Sequence, residues 1–127
     1  MFLMLSAAKA TNHNIINLRN TLELVNTIEL MGATFDVCDG FWQGHREDSV
    51  RLHYTPDTLE QALGFASNVM DAFEQEAILY VDDQSHGYLL TPDGNSEFIG
   101  VWHQVTAQAA RGFDSYTIIN GQYYVCF

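Results

Sequence analysis

Only two stretches of this chain space their apolar residues as a helix does; elsewhere the apolar residues come in short, β-rich runs. Ile15, Leu18, Leu22, Val25 and Leu30 recur at steps near three and four, with Asn12 or Asn14 available as a cap and Gly32 as the stop. Leu59, Ala62, Leu63, Ala66, Met70 and Phe73 mark the second helix. Thr55-Pro56-Asp57 opens it, with Pro near the first helical position and Asp57 and Glu60 at capping-box spacing. Leu3 to Ala8, Thr34 to Phe41, Val50 to Tyr54 and Ala77 to Val81 read as strands around these helices. The order strand, helix, strand, strand, helix, strand predicts an α+β fold, a ferredoxin-like sandwich with two helices covering an antiparallel sheet. Tyr88 to Leu90, Phe98 to Val105 and Gln122 to Phe127 add C-terminal strands, with turns at Asp82 to Gly87, Pro92 to Asn95 and Gly121. With no repeat or linker in 127 residues, residues 1–127 are expected to form a single domain. A half-covered sheet this small tends to complete its core by oligomerising, and an edge strand bearing Tyr123, Tyr124 and Phe127 suits that.

Composition narrows the partners. Five basic residues (Lys9, Arg19, Arg46, Arg51, Arg111) stand against sixteen acidic ones, a formal charge of −11. Binding to nucleic acid or to an anionic membrane needs clustered Lys and Arg, so neither is expected. A cationic small molecule or a basic protein suits the field better. Cys38 and Cys126 have no CxxC spacing and read as small buried hydrophobes in a reducing compartment. The opening Met1 to Ala10 imitates a signal peptide but lacks a basic start, and its apolar core of about five residues falls short of ~7–15. A buried first strand and a cytoplasmic location are the expectations. No run approaches the ~20 apolar residues of a membrane span.

One segment looks built for a ligand. In Gly40-Phe41-Trp42-Gln43-Gly44-His45-Arg46-Glu47-Asp48-Ser49-Val50-Arg51-Leu52, two glycines bracket an aromatic pair, a carboxylate follows, and the chain then alternates as a strand does. Read as a loop, it would let backbone approach a ligand and offer stacking faces. The five histidines show neither the i, i+4 pairing nor the Cys register of a metal site, so no metal is expected. There is no GxSxG elbow and no Gly-rich phosphate loop. Gln75 and Glu76 lie where the second helix hands over to the Ala77 to Val81 strand, a place where a carboxylate could be poised at a cleft.

In order and spacing these pieces resemble the phage-encoded S-adenosylmethionine lyases, formerly classed as hydrolases. The resemblance runs through Leu5-Ser6-Ala7, the Asn-rich start of the first helix, Gly40 to Leu52, Gln61-Ala62-Leu63, and Glu74-Gln75-Glu76 leading into Ala77-Ile78-Leu79-Tyr80. It implies a fold similar to PII-like trimers, a homotrimer with sites between subunits, and S-adenosylmethionine as substrate without cofactor or metal. It also implies cleavage to 5'-methylthioadenosine and homoserine lactone, in the cytoplasm of an infected bacterium if the chain is phage-encoded. Glu47, before Ser49-Val50, matches the family's acidic active-site position. Trp42 stands where the family carries a loop tyrosine, a departure that removes a phenolic hydroxyl. Glu47 and Trp42 are thus the expected catalytic residues, with Phe41, Ser49, Gln75 and Glu76 binding substrate. Two other classes compete: a non-catalytic PII-like ligand-binding regulator, and an acidic DNA mimic. Mimicry suits this chain less well, because the stretch Thr21 to Met31 holds only Glu23 and Glu29.

Overall fold

The first strand, β1 (Phe2–Ser6), is buried along its whole length, which requires cover on both of its faces. In the computed structural model, which describes residues 1–127, two different cores provide it. Side chains alternate along a strand. Leu3 and Leu5, both 0% exposed, meet Leu24 and Ile28 of α1 (Asn14–Met31) and Ala62, Ala66, Val69 and Met70 of α2 (Leu59–Ala72). Phe2 and Met4 point the other way, into a second cluster with Cys38, Val81 and Ile119.

That second cluster fills a barrel. β1 pairs with β3 (His45–His53) on one side and β4 (Ile78–Val81) on the other. The remaining strands are β2 (Phe35–Trp42), β5 (His86–Leu90), β6 (Ser96–Val105), β7 (Ser115–Ile119) and β8 (Gln122–Cys126). The eight close in the order β1-β3-β2-β7-β8-β6-β5-β4, every pair antiparallel. A single turn of helix, α3 (Ala107–Ala110), links β6 to β7. No helix is long and apolar enough to cross a membrane.

The expected open ferredoxin-like sandwich is therefore corrected. The strand run β4-β1-β3-β2 carries α1 and α2 on its outer face, but β5 to β8 continue the sheet until it closes on itself. Closure removes unpaired edges. β8, read as an aromatic edge strand, is instead hydrogen-bonded between β7 and β6, with Tyr124 facing the lumen.

The first helix also departs from its pattern. Thr21, Leu24 and Ile28 are its buried residues, while Ile15 (72% exposed), Leu18, Leu22 and Leu30 (90%) face outward. His13, rather than Asn12 or Asn14, caps it, its ring Nδ1 accepting from the Ile15 N–H. Ahead of α2, a 3-10 turn (Pro56–Thr58) is capped by Thr55 and Thr58 in place of Asp57 and Glu60: the Thr58 hydroxyl accepts from the Thr55 N–H at 2.9 Å.

Candidate active site

Gly40 to Leu52 is a β-hairpin. β2 and β3 pair in register from Phe35↔Leu52 to Trp42↔His45, and only Gln43 and Gly44 form the connection. Both have positive φ (51° and 82°), as in the two-residue turns whose twist matches that of paired strands. Gly44 takes this conformation without steric cost, and Gln43 must tolerate it. The expected ligand loop is thus corrected to paired strand with a tight turn. Strand alternation then sorts its side chains: Cys38, Gly40, Trp42, Glu47 and Ser49 lie on the lumen side, and Phe41, Arg46 and Asp48 on the outside. Outside, Arg46 pairs with Asp39 and lies 3.7 Å from Asp48.

Gly40 has a packing reason. A Cβ there would lie 2.6 Å from Ser49 Oγ, so glycine makes the space that the Ser49 hydroxyl occupies. Next to this spot, burial raises the Glu47 carboxyl above its ordinary pKa, opposed by the neighbouring Ser6 hydroxyl. The Ser6 Oγ–H donates to the Asp48 carbonyl at 3.2 Å and Ser6 Oγ accepts from the Ala8 N–H at 3.1 Å, tying the end of β1 to the hairpin.

These residues line a cleft of about 480 Å³ at one mouth of the barrel. That volume suits a small organic ligand, for which ~300–1,000 Å³ is usual. All six residues singled out in the sequence, Phe41, Trp42, Glu47, Ser49, Gln75 and Glu76, lie on its wall. Their positions differ. Ser49 is buried, Glu47, Trp42, Phe41 and Gln75 are half-buried, and Glu76 is exposed at the rim. Gln75 spends its amide on structure: Nε2 donates to the Ala8 carbonyl at 2.9 Å and to the Phe73 carbonyl at 3.2 Å.

Several cleft residues escaped the sequence reading. Tyr116, on the unpredicted strand β7, stacks on Phe41 with centroids 4.4 Å apart. Trp102 and Tyr124 stack in parallel, 5.2 Å apart, and both line the cleft. Register puts Tyr116 on the outer face with Phe41, so Tyr124 is the tyrosine whose ring faces the lumen beside Trp42. The signal for β7 was Asn120-Gly121 after the β-branched run Thr117-Ile118-Ile119, a strong hairpin pattern. Lys9 also lines the cleft, just beyond β1. Cys126 does too, but burial pushes its thiol up to about 11, so it stays protonated at neutral pH. No three His, Cys, Asp or Glu side chains gather in an arrangement that could hold a metal ion.

The open mouth of the barrel thus joins a half-buried carboxylate to a stacked pair of aromatic rings around a candidate small-molecule site. The chain matches the model of the S-adenosylmethionine lyase family over residues 3–127 and belongs to that family, whose enzymes degrade S-adenosylmethionine. No curated protein matches it.

Proposed function

We propose that this enzyme cleaves S-adenosylmethionine by intramolecular displacement in the barrel-mouth cleft, giving 5'-methylthioadenosine and homoserine lactone. The observation that carries the reading is the convergence of a desolvated carboxylate, Glu47, with Trp42 and the Trp102/Tyr124 stack around one cavity of about 480 Å³. S-Adenosylmethionine brings its own nucleophile, the α-carboxylate, and its own leaving group, the sulfonium. The carboxylate attacks the γ-carbon, the C–S bond breaks, and its electron pair leaves sulfur as a neutral thioether. No general base is needed, because the nucleophile is already ionised. The protein's work is then orientation and exclusion of water. Folding the methionine tail toward attack draws on the ~7–11 kcal/mol available from positioning. Opposite charges disappear in the step, so a water-poor cavity favours it.

In this reading, an aromatic face of Phe41 or Trp42 holds adenine or contacts the sulfonium by cation–π attraction. Glu47 anchors the substrate's ammonium or ribose, the Ser49 hydroxyl supports it, and Gln75 and Glu76 border the methionine tail. Incubation with S-adenosylmethionine, without added metal, should release methylthioadenosine, with lactone appearing before homoserine by chromatography. No consumption above the buffer control would overturn the reading, and solvent oxygen entering in the first step would overturn the cyclisation.

We also propose a homotrimer with sites between subunits. The support is apolar surface that the barrel leaves uncovered, with Ile15 72%, Val37 58% and Phe98 56% exposed. Light scattering should report the mass of about three chains. A monomer with full activity would refute shared sites.

A further inference from the structure

We propose that Lys9 receives the substrate's α-carboxylate and thereby selects ligands that carry an amino-acid tail. This rests on the reading of the cleft as the S-adenosylmethionine site. Lys9 is the chain's only lysine, and no arginine lines the cleft. The four arginines are engaged or placed elsewhere: Arg19 on α1, Arg46 on the outer side of the hairpin, Arg51 on Asp36 at the other end of the barrel, and Arg111 after α3. The wall therefore presents one permanent cation and three carboxylates, Glu47, Glu74 and Glu76. The substrate is the inverse, with two cations (sulfonium and ammonium) and one carboxylate. Only Lys9 complements that carboxylate.

Its backbone is pinned from two directions. The Lys9 N–H donates to Asn17 Oδ1 at 3.0 Å, and Asn17 Nδ2 donates back to the Lys9 carbonyl at 2.9 Å. The preceding carbonyl, of Ala8, accepts from Gln75 Nε2 at 2.9 Å. A side chain on a held backbone loses less entropy when it binds. The Lys9 ammonium now rests 2.7 Å from Glu74, whose side chain is 75% exposed and whose backbone is left-handed (φ 53°). An ion pair this open to water is weak, so an incoming carboxylate can replace Glu74.

Lysine also suits the step better than arginine. Its ammonium is a point charge, whereas a guanidinium fork would tie up both carboxylate oxygens. Held through one oxygen, the carboxylate keeps the other for the γ-carbon. Once the lactone's C–O bond forms, the charge that Lys9 held is gone and Glu74 can return, which favours release.

Lys9→Gln tests this with two stable thioethers that do not depend on turnover. S-Adenosylhomocysteine carries the amino-acid tail; methylthioadenosine lacks it. Calorimetry should show S-adenosylhomocysteine binding weakened at least ~10-fold, the scale of one charge-assisted hydrogen bond, with methylthioadenosine within about twofold of wild type. In turnover, KM for S-adenosylmethionine should rise by a similar factor and kcat much less. Lys9→Arg should restore most of the binding preference, and Glu74→Gln, which frees Lys9, should tighten S-adenosylhomocysteine. Wild type that turns over S-adenosylmethionine beside a Lys9→Gln variant with unchanged KM and preference would overturn the role of Lys9 and leave the proposed function standing. Equal weakening of both thioethers would reduce Lys9 to a structural residue and overturn it too. Wild type that binds neither thioether and consumes no S-adenosylmethionine would overturn the reading of the cleft, and the role of Lys9 with it.

Discussion

Gly100→Ala is expected to lower the melting temperature by more than ~10 °C, a larger stability loss than any change in the cleft should cause. Gly100 has φ +129°, and a Cβ on it would lie 2.5 Å from both the Cα and the carbonyl carbon of Phe127. Backbone cannot move aside as a flexible side chain can. Here the last residue is also tied in by paired bonds, Val101 N–H to the Phe127 carbonyl at 2.9 Å and Phe127 N–H to the Val101 carbonyl at 3.1 Å. Alanine would have to part that seam or adopt a conformation costing ~1–3 kcal/mol, with overpacking adding ~1–3. Against a typical domain stability of ~5–15 kcal/mol, that is a large fraction. Gly64→Ala is the control, since a Cβ on that α2 residue meets nothing within 4 Å. It should be neutral or slightly stabilising, because alanine is the better helix former by ~1 kcal/mol. A thermal melt of the two variants decides it: equal melting temperatures would mean that the β6–β8 seam carries no such constraint.

Glu47→Gln is expected to reduce turnover at least ~10-fold, the value of one charge-assisted hydrogen bond at ~1.5–3 kcal/mol. The change keeps the size and most of the hydrogen-bonding capacity of the side chain and removes its charge. Asp48→Asn should be nearly silent. Strand alternation puts Asp48 on the outer face, where it lies 3.7 Å from Arg46. Stability should separate the roles further. Burial raises the Glu47 pKa, so ionised Glu47 opposes folding above that raised value, and below the unfolded carboxylate range it does not. The variant should therefore melt slightly above wild type at neutral pH, and the gap should close as pH falls through the raised pKa toward the ordinary carboxylate range. Equal turnover in Glu47→Gln and wild type would leave the carboxylate without a part in the reaction and turn attention to Glu76.

Much of the element order was legible because the decisive residues act locally. Gly32 ends α1 in the left-handed conformation, and Pro56 starts the turn into α2. Closure was not legible, because it depends on pairings such as Asp39↔Ile118 and Phe2↔Val81, which no local pattern announces. The start of β3 hid for a different reason. His45-Arg46-Glu47-Asp48 is polar on both faces, one toward water and one toward the cleft, so it lacks the apolar alternation of a strand with one face in a core. The two glycines and the aromatic pair just before it made the segment look like a loop for a ligand. The outward stripe Ile15, Leu18 and Leu22 misled in the opposite sense, since helical spacing says that a face is apolar and not what lies against it. The candidate cleft was partly visible: Glu47 and its aromatic neighbours stood out by type, while Lys9 had no local pattern to mark it.

The double burial of β1 has a consequence for synthesis. Its apolar run, Phe2-Leu3-Met4-Leu5, is made before the helices and strands that cover it. Leu3 and Leu5 are not covered until α2, as far along as Met70, has been made, and Phe2 and Met4 wait for Val81 and Ile119. This strand is thus among the last to be sheltered, and it stays adhesive on the growing chain until those residues have been made. Contacts this distant in sequence also slow folding and lengthen exposure to aggregation. By Met70 the chain carries eight acidic residues against four basic ones, and the surplus grows to eleven over all 127 residues, a like charge that opposes association of such nascent chains.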